Sequence, residues 1–160
     1  MVSRVERVLR EELGIAQGFA DPRVYVLDPA CGTGAFIVEV LRRIETTLRS
    51  QRNDGLVPDD IREAAKSRVF GFEILPAPFV IAHLQIGLLL QSFGAPMSDA
   101  SGERAAVYLT NALTGWAPPS EESKNRFEQL TLAFPELRNE RDAAERVKRH
   151  TPILVVIGNP

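Results

Sequence analysis

Four polar residues, Asp28, Glu73, Asn111 and Asn159, each end a short apolar run that reads as a strand. Carboxylates and side-chain amides at such places can accept hydrogen bonds from a ligand. The two acids together suit a cationic ligand that also carries a ribose, because one carboxylate can take both hydroxyls of a diol. Between Asp28 and the next helical pattern lie Pro29, Ala30, Cys31, Gly32, Thr33 and Gly34. Glycines at 32 and 34 let the backbone turn sharply and approach a ligand where a Cβ would collide. The helix that follows offers its unpaired first N–H groups to the same space. No Gly-Lys-Ser/Thr follows, so this is not a phosphate-cradling P-loop. Ile37 is too large for the third glycine of a dinucleotide fingerprint, and Asp28 would repel a pyrophosphate, so a dehydrogenase is a weak alternative.

The elements that must place these residues alternate in type. Val2, Val5, Leu9 and Leu13 recur at helical spacing, which predicts an opening helix over 2–13 that Gly14 or Gly18 stops. Val24–Leu27 reads as a buried strand, Ala35–Arg49 as a helix, and Asp59–Lys66 as a further helical piece, with Asn53-Asp54-Gly55 a loop. Val69–Phe72 reads as the second strand and Ala77–Gln91 as its helix, with Pro76 and Pro78 in the first turn. From Ile74 to Ser98 there is no charged side chain. The prolines, His83 and the glutamines in it argue against a membrane span and for a core helix buried on nearly all sides. Ala106–Thr110 is expected as a third strand. Ile153–Ile157, apolar on both faces, is expected as a fourth in a central position. A charged insertion at about 112–152 separates these two, opening with a loop at Pro118-Pro119 and closing with a helix, Glu136–Arg149, expected to present a solvated face. Alternating strands and helices imply an α/β fold with a mostly parallel sheet. Ligands bind such sheets beyond the carboxyl ends of the strands.

Composition sets the outer bounds. The 160 residues, 44% hydrophobic and 25% charged, are those of one globular domain of ordinary size. A net charge of −2 speaks against a surface that binds nucleic acid throughout. The lone Cys31 excludes an internal disulfide. With only two histidines there is no zinc-type cluster, so no metal is expected. No signal peptide opens the chain, which fits a cytoplasmic protein. Cys31 has no histidine placed to activate it and reads as a small packed residue; His83 reads as a hydrogen-bonded core histidine, and Phe72 and Tyr108 as core.

The polar strand ends also carry a family resemblance. Asp28-Pro29-Ala30-Cys31-Gly32-Thr33-Gly34 resembles motif I of S-adenosylmethionine-dependent methyltransferases, in the form of the adenine-N6 DNA methyltransferases. Phe70-Gly71-Phe72-Glu73-Ile74 is similar to their motif II. Thr110-Asn111-Ala112-Leu113 resembles motif III, where an Asp is commoner than Asn111. Ile157-Gly158-Asn159-Pro160 looks like the first half of the Asn-Pro-Pro-Tyr motif IV. The order of motifs resembles the gamma arrangement. Leu113-Thr114-Gly115-Trp116 and the uncharged helix after Glu73 look like the type ISP and related restriction–modification enzymes.

The resemblance implies a partial Rossmann-like sheet in three layers, α/β/α, with residues 1–160 forming the N-terminal, cofactor-binding part of a bacterial, cytoplasmic methyltransferase domain that stops inside motif IV. It implies that Glu73 takes the ribose diol and Asn111 the adenine amino edge, while Ile74 packs on the adenine face. The loop Asp28, Pro29, Ala30, Cys31, Gly32 and Gly34 would hold the methionine part. Asn159 and Pro160 would accept the two hydrogens of an exocyclic adenine amine, localising its lone pair toward the methyl group. DNA would be the partner of the full-length enzyme, alongside nuclease, helicase-like and target-recognition segments, and the fragment alone would be inactive. Two other readings stand beside it: a methyltransferase acting on protein glutamine or RNA, and a noncatalytic cofactor-sensing or interaction module.

Overall fold

A computed structural model of the chain describes residues 1–52, 55–98, 102–114 and 135–159. Asn53, Asp54, Gly115, Trp116, Pro118, Pro119 and Pro160, named above, lie outside the described residues. Helix α1 (Val2–Glu11) is followed by a 3-10 turn (Gly18–Ala20), β1 (Val26–Asp28), α2 (Ala35–Gln51) and α3 (Val57–Ser67). Then come β2 (Val69–Glu73), α4 (Pro76–Ser92), β3 (Val107–Leu109), α5 (Pro135–His150) and β4 (Val155–Val156). Among the described residues four strands form one parallel sheet in the order β3-β2-β1-β4. This α/β architecture is consistent with a Rossmann-like fold. The chain moves outward from β1 to β3 and then crosses back to the far side of β1, so the strand order reverses there. At such a reversal the crossovers leave a crevice beyond the strand ends.

Alternation along the strands feeds two apolar clusters. Val26, Val69, Val107 and Val155 join α1 to α4 in the larger one, around Phe19, Leu41, Ile44 and Ile61. Leu27, Phe70, Phe72 and Ala106 join Ala144 and Val147 of α5 in the smaller. The period-two pattern of fully apolar strands thus supplies both faces. Arg68 fastens the start of β1, donating from Nη1 to the carbonyls of Phe19, Asp21 and Val24 at 3.4, 2.9 and 3.3 Å.

Four expectations need correction. Helix α1 ends at Glu11 rather than residue 13: Gly14 turns at φ +67°, and Leu13 is left exposed. Helix α4 buries only one face, through Ala82, Ile86, Leu89 and Leu90. Its Leu84 and Leu88 are 61% and 66% exposed, with Val80 and Ile81 beside them. An apolar pattern all round a helix does not reveal which side has a neighbour. The fourth strand keeps two residues and lies at the sheet edge, with Val156 65% exposed, not in a central position. The charged helix α5 is not simply solvated, because Glu140 and Lys148 point into the molecule. Glu140 pairs with Arg104 and accepts the N–H of Leu109 at 3.0 Å, a backbone donor of β3, the other edge strand.

Candidate active site at the carboxyl ends of the strands

Asp28 and Glu73 are the last residues of β1 and β2, and Asp28 lies opposite Gly71 in the parallel register. The turn after β1 is tied to β2 at both main chain and side chain. Cys31 N–H donates to the Phe72 carbonyl at 2.9 Å, and Gly32 N–H donates to Glu73 Oε2 at 2.9 Å. Gly32 and Gly34 stand at φ +54° and +86°, where a side chain is strained. A Cβ on Gly32 would meet nothing within 4 Å, so this stretch of backbone faces open space. At Gly34 the neighbour is Ala82 of α4, whose Cβ would be 3.2 Å from an added one. Among the described residues no side chain caps the start of α2.

The electrostatics are those of a site short of positive charge. Asp28 is 1% exposed; its Oδ1 accepts the Ala30 N–H at 3.2 Å, while Oδ2 has no hydrogen-bond partner among the described residues. Burial chiefly pushes its carboxyl up to about 6; the Ala30 bond works against this and the Glu73 charge adds to it. Burial and the same two acids push the Cys31 thiol up to about 12, so it is a packed residue and no nucleophile at neutral pH. Glu73 is also buried. Its Oε1 accepts the N–H groups of Ile74 and Leu75, both at 2.8 Å, leading into α4.

Asn111 and Asn159 lie in the turns after their strands rather than at strand ends. Thr110 N–H donates to the Glu73 carbonyl at 2.8 Å, which seats the β3 turn beside Glu73. Asn111 is exposed, and its Oδ1 accepts the Leu113 N–H at 2.9 Å. Ile74, beside Glu73, is exposed as well. Asn159 is exposed two residues past Ile157, whose N–H still pairs with the Leu27 carbonyl at 2.9 Å. Gly32 and Glu73 are thus joined directly, Cys31 through the Phe72 carbonyl, Asp28 through its register with Gly71, and Asn111 through the neighbouring Thr110. His83 Nε2 lies 3.2 Å from the Val107 carbonyl, which makes it a hydrogen-bonded, half-buried histidine. Phe72 is fully buried and Tyr108 half-buried.

Sequence reasoning left Gly158 without a role. A Cβ there would stand 2.9 Å from Asp28 Oδ1 and 3.4 Å from Pro29 Cδ, so only glycine lets the β4 turn close on Asp28. The signal was a glycine directly before a polar residue that follows an apolar run. Two open clefts lie elsewhere. One is between α1 and α2 and the other beside Tyr25 and Arg68, and neither touches these residues. Among the described residues no cluster of acids, Cys and His is spaced for a metal, and no helix is long and apolar enough to cross a membrane.

No protein-family model matches the chain. Over 108 residues it is 41% identical to the type II restriction enzyme and methyltransferase RM.BcgI of Heyndrickxia coagulans. The match takes in 63% of this chain and 15% of that protein, so the chain spans a small part of its relative's length. The fold is similar to part of the type ISP restriction–modification enzyme LlaGI, solved as a nuclease-deletion mutant with a DNA substrate mimic. That likeness has a TM-score of 0.72 at 21% identity and covers 99% of this chain and 12% of the other. The ATP-dependent type ISP enzyme LlaBIII bound to DNA gives 0.67 at 21% identity, over 98% of this chain and 9% of that one. A DrdV–DNA complex gives 0.65 at 21% identity, over 99% and 12%.

Proposed function

We propose that this chain is the S-adenosylmethionine-binding part of a DNA adenine-N6 methyltransferase of the gamma arrangement, within a restriction–modification enzyme. The observation that carries the reading is Asp28, a buried carboxylate with an unpartnered oxygen beside a glycine turn, at the point where strand order reverses. Such an arrangement lacks a cation, and a ligand carrying an ammonium and a sulfonium supplies it. The open space beside Gly32 gives that ligand room against bare backbone. The two apolar clusters, one on α1 to α4 and one on α5, support a three-layer arrangement around the site.

When bound, S-adenosylmethionine supplies an electrophilic methyl group on a positively charged sulfur. The chain's residues do the holding. Asp28 faces the methionine ammonium, with Pro29, Ala30, Cys31, Gly32 and Gly34 shaping the turn around the methionine part. Glu73 accepts from the ribose hydroxyls. Its Oε1 is already filled by two backbone donors and its Oε2 holds Gly32, so taking both hydroxyls requires the Gly32 bond to open. Ile74 packs on the adenine face and Asn111 reads its amino edge. Asn159 and Pro160 accept the hydrogens of the target amine, and the Gly158–Asp28 contact brings that turn next to the methionine part. DNA is the substrate of the longer enzyme.

Calorimetric titration with S-adenosylhomocysteine tests the assignment. The unsubstituted chain binds, and Glu73→Ala weakens binding at least tenfold, the loss expected when charge-assisted hydrogen bonds disappear. Equal heats from both proteins would remove Glu73 from the site.

A further inference from the structure

Helix α5 turns Lys148 inward, and nothing in the reading above uses it. The residue is 7% exposed. Its Nζ donates to the carbonyl oxygens of Asn111 at 2.8 Å and Thr114 at 2.6 Å, and lies 3.4 Å from Thr110 Oγ1. The same ammonium sits 5.0 Å from the centre of the Phe72 ring. Its three protons meet three neutral oxygens, all from the turn that follows β3. Burying a charge this way is costly, and the cost shows in a pKa pushed down by desolvation, with Glu145 opposing. What the turn gains is a fixed shape. The Asn111 carbonyl also accepts from Thr114 N–H at 3.3 Å and Thr114 Oγ1 at 3.2 Å, so Lys148 closes a knot around that one residue.

We propose that Lys148 is a positioning residue that pins the 110–114 turn so that the side chain of Asn111 is presented in one orientation to the adenine of the cofactor. The inference rests on the cofactor assignment above. Lys148 holds the Asn111 main chain, while the Leu113 N–H holds its Oδ1. With both fixed, the amide offers a defined edge, and a defined edge can tell an amino group from a keto oxygen.

The test measures that discrimination. The chain, K148M, N111A and the double variant are titrated with S-adenosylhomocysteine and with S-inosylhomocysteine, which carries oxygen in place of the adenine amine. The unsubstituted chain should prefer the adenine form roughly tenfold, the worth of one amide–adenine contact. K148M should lose most of that preference, and the double variant should be no worse than N111A, because both act on one contact. A uniform loss for both ligands, a preference that survives K148M, or additive losses would each overturn the proposal while leaving the cofactor assignment standing. Failure of the unsubstituted chain to bind either ligand would overturn the assignment and this inference with it. Hydrogen exchange needs no variant: the Leu113 and Thr114 amides should be protected in the unsubstituted chain. Exchange at free-peptide rates would show that the turn is not pinned.

Discussion

At the scale of single residues, Asp28 carries a built-in cost. Its carboxyl stands at about 6 against an ordinary 3.8, so between those values the folded chain keeps a proton that the unfolded chain has lost. Stability therefore falls as pH rises through that window, and the whole deficit, about 3 kcal/mol, is present above pH 6. Asp28→Asn removes it. Melting at pH 7.5 should show D28N more stable by about 2–3 kcal/mol, the gain shrinking below pH 6 and vanishing near pH 4, with S-adenosylhomocysteine binding lost. A gain that is the same at every pH would mean that Asp28 is not held protonated by burial. Asp28 and Glu73 were legible as site candidates because each ends an apolar run. The binding of Glu73 to Gly32 was not, since it joins residues far apart in sequence.

At the scale of elements, most of the helices and strands were legible from periodicity and from the glycines and prolines between them. Their ends moved by a few residues, because tertiary hydrogen bonds decide where pairing stops. What periodicity leaves open is how closely elements approach. Gly71 sits mid-strand in β2, where a glycine has no favourable local reason to be. A Cβ there would stand 2.6 Å from Ile37 Cδ1 and 3.0 Å from Cys31 Sγ, so α2 and the site turn close down on bare backbone. Gly71→Ala should cost about 1–3 kcal/mol, read as a lower urea midpoint at unchanged slope. A midpoint at or above that of the unsubstituted chain would show that Ile37 and Cys31 give way freely. The charges of α5 were legible as charges. That Glu140 and Lys148 turn inward follows from the packing of that helix over Phe72 and the β3 edge.

At the scale of the whole molecule, the uncharged segment of α4 divides into a buried and an exposed half. Val80, Ile81, Leu84 and Leu88 form an apolar stripe on the outside. Exchanging exposed residues changes stability little, within about 0.5 kcal/mol each, while a contiguous apolar patch promotes association. Leu84→Gln with Leu88→Gln should leave the melting temperature within about 3 °C and reduce light scattering in concentrated solution. A drop of 10 °C or more would place those leucines inside the folded chain instead.

The sequence by itself determined the alternation of strands and helices, the glycine turn, and the polar residues set after each apolar run, because these depend on local propensity and period. Only the tertiary structure decided that β1 lies between β2 and β4, that Gly158 rests on Asp28, and that Leu84 and Leu88 of α4 and Val156 of β4 are exposed. Those outcomes depend on which elements become neighbours, and a hydrophobic pattern records that a surface must be buried without naming what buries it.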